Sequence, residues 1–163
     1  GLPLLLVLLL VGLGIPGLRI SWVPNSAVVL GTVALVLTYS AYVAEVIRAG
    51  IEGVNPTQRQ AARALGLSQA QTLEHVVLPQ AFRNVTPPLL NDLVSLQKDS
   101  GLISVLGAVD AIRAAGIQTA QSFNFTPYLV AGALFVLLTI PLTRFTDWLT
   151  RRQDSKQRAQ GQW

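Results

Sequence analysis

The chain has 163 residues, of which 51% are apolar and only 12% charged, with a formal net charge of +4. A water-soluble domain carries roughly a quarter charged residues, so the composition points to helices that cross a membrane. Cysteine is absent and histidine occurs once, which excludes a disulfide framework, a thiolate or histidine-cluster metal centre and a catalytic thiol.

Leu2 to Leu13 is almost wholly leucine, valine and glycine, but falls short of the ~20 residues that a helical span needs. A cleaved signal peptide has an apolar region of similar length, yet no basic segment precedes this one and no small-residue cleavage site follows it. It reads as part of a span. With no methionine in the chain, the expectation is that an N-terminal part of the protein is missing. Pro16, Gly17, Trp22 and Pro24 predict an external loop over 14–24 with an interfacial tryptophan. Residues 26–44 are uncharged and long enough to cross. Thr38, Tyr42 and Glu45 share a helical face that is expected to turn toward protein. Glu45, Arg48 and Glu52 follow at spacings that permit pairing along the helix, or else form a solvated end.

The interval from Pro56 to Pro79 is polar between apolar neighbours, and it predicts two short helices. Asn55 is a candidate N-cap, with Pro56 at the first helical position and Gln58 completing a capping box. Gly66 supplies the left-handed stop. Ser68 and Gln71 form a second capping box, and the second helix is predicted to end near Leu78, before Pro79. Ala61, Ala62 and Leu65 fall on one face, and Arg59 and Arg63 on another. A small-residue face closed by glycine suits close approach by a partner's backbone.

The chain is predicted to re-enter the membrane at Pro87-Pro88. Asn84, Pro88, Asn91, Asp92, Ser95 and Asp99 make one polar stripe, and Lys98-Asp99-Ser100-Gly101 separates two short apolar pieces. That pattern predicts a discontinuous transmembrane helix whose break lines a cavity. Residues 110–126 read as an external helix and loop. Residues 127–143 are a second uncharged span, kinked at Pro141 and anchored by Arg144, Trp148, Arg151 and Arg152. The polar residues 153–163 predict a disordered tail. Basic residues cluster in the central loop and after Arg144, the positive-inside pattern, which puts both regions in the cytosol. They lack the interleaved aromatics of a nucleic-acid patch, so no nucleic acid is expected.

Gln60-Ala61-Ala62, three residues, Gly66, nine residues, Val76, one residue and Leu78-Pro79 resembles the signature E-A-A-x3-G-x9-I-x-L-P of ABC-importer permeases. The spacing agrees throughout; Gln60 stands for Glu and Val76 for Ile. The flanks, S-A-Y-V-A-E-V-I-R-A-G-I before it and K-D-S-G-L-I-S-V-L-G after it, look like the polar-amino-acid branch, the histidine- and glutamine-type permeases. The resemblance covers residues 1–152 and implies an all-α, polytopic transmembrane helical bundle of about three spans plus a partial one.

It further implies a cytosolic coupling helix that docks on a separate ATPase. Its contact residues would be Gln60, Ala61, Ala62, Arg63, Gly66, Leu67, Val76, Leu78 and Pro79. The implied partners are ABC ATPase subunits, a second permease chain, an external substrate-binding protein and a polar amino acid as substrate. The alternative for the loop is a surface helical hairpin without a partner. Asp92, Ser95, Lys98, Asp99 and Ser100 are candidates for the translocation path, with Asp92 or Asp99 favouring an ammonium group and the helix start near Ser100 a carboxylate. Alternatively, Lys98 and Asp99 only neutralise one another.

No phosphate loop, nucleophile elbow or cofactor site occurs, and His75 has no catalytic partners in the sequence, so the chain is not expected to be an enzyme. The function implied is the permease subunit of a binding-protein-dependent importer in a bacterial inner membrane. The rival is a structural membrane protein or a decayed permease fragment that does not transport. Gln60, which keeps the length of glutamate but loses its charge, is expected to weaken the coupling helix without abolishing it.

Overall fold

The computed structural model describes residues 2–160, with side chains described through residue 152. Among these residues the regular structure is helical throughout. Six rods follow in order: α1 (Leu4–Gly17), α2 (Ala27–Glu52), α3 (Pro56–Ala64), α4 (Gln69–Leu106), α5 (Ala111–Ser122) and α6 (Thr126–Gln160). Two of them, α2 and α6, are long and apolar enough to cross a membrane, with mean hydropathies of 1.9 and 1.8. A third span results if α4 and α5, which meet at a bend of 48°, count as one broken crossing. The apolar part of α6 is only 11% buried, and Leu129, Leu137 and Leu138 lie open. Such a surface is stable against lipid or another chain but costly in water.

The chain divides into two compact units, 1–40 with 94–143 and 41–93 with 144–163. In the first, the helices meet around residues 100–106, which form a tight 3₁₀ turn at the end of α4. Three glycines permit this approach. A Cβ on Gly12 would overlap Leu106, one on Gly31 would lie 2.7 Å from Ile103, and one on Gly101 would lie 2.7 Å from Ile112. In the second unit, Val54, Val77 and Ala81 form a small apolar core, with Ile51 packed on it. Gly50 lets α2 close on Val85.

Several expectations need correction. The second helix predicted for Pro56–Pro79 does not end at Leu78. A π-helical turn over Leu73–Val77 widens the rod immediately before Pro79, and α4 continues to Leu106. In an unbroken α-helix the proline ring would clash with the carbonyl four residues back, so the wider turn replaces the predicted stop. Pro87 and Pro88 likewise lie inside the helix and do not break it. The predicted interruption at 98–101 is also displaced. Residues 78–99 are α-helical and run straight into the 3₁₀ turn, while the break falls at Gly107, whose φ is +93°. Ser100 is therefore not a helix start facing a cavity. The free helix start is at Ala111, and Asp110 caps it by accepting from Arg113 N–H at 2.8 Å. Residues 15–17 extend α1 where a loop was expected.

The helix α6 continues to Gln160 where disorder was expected from residue 153. Gln, Lys, Arg and Ala are good helix formers, and extending an existing helix avoids the cost of a new nucleus. Residues 161–163 lie outside the described residues.

A capped hairpin and a part-buried polar pair

The hairpin of α3 and the start of α4 belongs to the second unit. Asn55 caps α3 as predicted, accepting from Thr57 N–H at 2.9 Å. Gln58 does not complete a box there, and its side-chain oxygen instead accepts from the Gln80 amide. At the other end Leu67 N–H reaches Ala62 O at 3.2 Å and Gly66 N–H reaches Arg63 O at 3.0 Å. These two bonds close the helix in a Schellman motif, with Gly66 left-handed at φ +87°. The second box is complete: Ser68 Oγ accepts from Gln71 N–H at 3.2 Å, and Gln71 Oε1 accepts from Ser68 N–H at 2.9 Å.

These caps hold the signature residues in defined places. Ala62 is buried, whereas Gln60, Ala61 and Arg63 face outward and Leu65 is 83% exposed, so the predicted Ala-Ala-Leu face is split. Leu67 and Val76 are half-buried, and Leu78 and Pro79 are exposed. The two arginines, read from sequence as a face, are fixed individually. Arg59 donates to Ile51 O near the end of α2, and Arg63 Nη1 donates to Leu67 O at 2.8 Å. Neither carbonyl partner, nor the Gln58–Gln80 bond, has a signal in the local sequence pattern.

The path candidates separate between the units. Asp92, in the second, is half-buried, with Oδ2 covered and without a hydrogen-bond partner. In the first unit, Asp99 Oδ2 accepts from the Tyr39 hydroxyl at 2.8 Å. Tyr39 is buried and lies ~18 Å along α2 from its start at 1.5 Å per residue, within the apolar stretch. Asp99 is thus a carboxylate held by a neutral hydroxyl inside a membrane helix bundle, an arrangement typical of functional sites. The buried face of α2 carries Thr38 and Tyr39; Tyr42 and Glu45 are exposed, so only part of the predicted protein-facing stripe turns inward. Gln97 makes a second tie, accepting from Thr139 at 2.9 Å. Ser95 is half-buried, Lys98 is exposed, and Ser100 Oγ donates to Gln97 O at 2.7 Å. Glu45 and Arg48 approach to 3.8 Å, both well exposed.

A family model described as the binding-protein-dependent transport system inner membrane component matches residues 1–155. The chain belongs to this family. It is a multi-pass membrane protein with an all-α fold. Similar proteins include the arginine transport system permease protein ArtQ of Bacillus subtilis, 37% identical over 88% of this chain and 65% of the relative. The probable amino-acid ABC transporter permease y4tG of Sinorhizobium fredii is 44% identical over 74% of this chain and 54% of its own length. The probable glutamine ABC transporter permease GlnM of Bacillus subtilis is 36% identical over 93% and 69%. The chain thus spans between half and two thirds of the length of ArtQ and y4tG. A crystal structure of an amino acid ABC transporter with histidines superposes with a TM-score of 0.84 at 37% identity, over 93% of this chain and 70% of the other.

Proposed function

We propose that this family member serves as the permease subunit of an ABC importer for polar amino acids. It would couple ATP hydrolysis by a separate subunit to substrate movement. The capped hairpin carries the reading. Its left-handed Gly66 and boxed Ser68 hold the residues of the family signature in one capped element, with Gln60, Ala61, Arg63, Leu78 and Pro79 exposed, which suits transmission of a push. The names of the relatives, arginine and glutamine permeases among them, support amino acids as the substrate class.

In this reading Gln60, Ala61, Ala62, Arg63, Gly66, Leu67, Val76, Leu78 and Pro79 form or support the contact with the ATPase. Asp99, clasped by Tyr39, lines the path with Ser95 and offers its carboxylate to the substrate ammonium group. Asp92, with its covered Oδ2, is a further candidate for substrate contact. Lys98 and Ser100 stay at its edge. The chain performs no covalent chemistry and is not an enzyme; it contributes positioning and a two-state path. A second permease chain and an external binding protein complete the assembly.

The test is co-purification with candidate ATPase subunits, followed by amino-acid-stimulated ATP hydrolysis in liposomes. Retention of the ATPase with stimulation by polar amino acids is expected. A chain that retains no ATPase, or whose ATPase ignores every amino acid delivered by the binding protein, refutes the proposal.

A further inference from the structure

The angle between α3 and the start of α4 encloses a groove of about 390 Å³ lined by Arg59, Arg63, Gln69, Thr72, Leu73 and Val77. Leucine and valine form part of its wall, and two guanidinium groups one helical turn apart supply its charge. Both are pinned by backbone carbonyls, Arg59 by Ile51 O and Arg63 by Leu67 O. Carbonyls orient a guanidinium without neutralising it. Among the described residues neither arginine is ion-paired with a carboxylate, and Arg59 Nε–H is covered without an acceptor. Gln60, three residues before Arg63, provides no carboxylate where i, i+3 pairing would place one. The result is a fixed, uncompensated, positively charged cup with an apolar wall.

We propose that this cup receives a carboxylate side chain projecting from the ATPase subunit, so that part of the partner enters the hairpin as well as the hairpin entering the partner. The inference rests on the proposed function, because it needs an ATPase at this loop. Planar guanidinium groups match a carboxylate with two parallel hydrogen bonds, and prior pinning reduces the side-chain entropy lost on pairing. A concave groove with Leu73 and Val77 in its wall suits a protruding side chain better than the flat array of phosphates on a membrane surface.

The experiment measures ATPase affinity of the complete permease assembly in detergent, for the parental chain and for Arg63→Gln, Arg63→Lys and Gln60→Glu. Arg63→Gln retains a donor for Leu67 O and loses the charge. It is expected to weaken ATPase binding about tenfold at low salt, with the deficit shrinking at high salt as exposed charges are screened. Arg63→Lys should fall between this variant and the parent. Gln60→Glu places an intrachain carboxylate beside Arg63 and should also weaken binding, although it favours the helix. Arg63→Glu should bind again when one acidic residue of the ATPase is changed to arginine.

If the parental chain binds ATPase and Arg63→Gln binds equally well at low salt, this inference falls while the proposed function stands. Loss of affinity for anionic vesicles with ATPase affinity unchanged would overturn it in favour of a lipid contact. A parental chain that binds no ATPase removes the proposed function and the inference together.

Discussion

Replacing Gly66 separates what the turn needs from what a partner needs. Its φ of +87° is a conformation that costs an ordinary L-residue about 1–2 kcal/mol. An added Cβ would meet no atom of the chain within 4 Å, so Gly66→Ala carries this backbone term and no internal clash. The Schellman bonds of Gly66 and Leu67 bear the loss, which reduces the population of the closed hairpin by a factor of about 5–30 relative to its open forms. Asparagine and aspartate tolerate the left-handed region better than alanine, and they have almost the same shape. Gly66→Asn and Gly66→Asp should therefore fold alike, with similar melting temperatures in detergent. Their coupling should differ. If Gly66 lies at the ATPase contact, aspartate brings bulk and negative charge to it, and amino-acid-stimulated ATP hydrolysis and transport in liposomes should fall well below those of the asparagine form. Transport by Gly66→Asp at the parental rate would refute the placement of Gly66 at the contact, whatever the cost of the alanine variant.

Topology can be read by single-cysteine labelling, because the chain contains no cysteine. A cysteine at Ser68 should react with impermeant reagent only after the cytosolic face is opened, and one at Asn124 should react from outside; external labelling at Ser68 would overturn the orientation. Tyr39→Phe removes the hydroxyl from Asp99 and should lower stability by roughly 0.5–2 kcal/mol, the range for hydrogen bonds between membrane helices, read as a lower melting temperature in detergent. Asp99→Asn keeps an acceptor for Tyr39 but loses the charge. It should raise the substrate KM for transport while leaving ATPase retention unchanged, and an unaltered KM would remove Asp99 from the path.

The hairpin of α3 and the start of α4 was largely legible because its determinants are local. A serine and a glutamine three residues apart, or a glycine closing an Ala-rich helix, act through backbone groups within one or two turns. Asn55, Gly66, Ser68 and Gln71 stand where those rules put them. Two apolar spans and a helix over 111–122 were legible for a similar reason, since apolar length and a break in apolar sequence need no knowledge of neighbours.

Tertiary partners were not legible. Pro79 predicts a stop, but burial of Val77, Ala81 and Val85 rewards an unbroken rod, and a π turn ahead of Pro79 relieves the clash. On α2 the polar residue that reaches across the first unit is Tyr39, which the Thr38-Tyr42-Glu45 stripe omitted. A stripe gives a direction on a helix, and the choice between adjacent directions depends on where Asp99 stands, 60 residues away. The same reasoning applies to the departure at Gln60. From the sequence alone, glutamine looks like a weakened glutamate, and restoring the charge adds a few tenths to ~1 kcal/mol to a surface helix, through Arg63 and the helix dipole. Gln60 lies five residues into α3, beyond the first turn where the helix dipole helps a carboxylate. What the structure adds is the position of Arg63 on the rim of a groove shared with Arg59. There a glutamate at position 60 would compete for the cation that the groove presents outward. The small local gain and the larger loss at the contact have opposite signs, and the loss decides if the groove is the docking site.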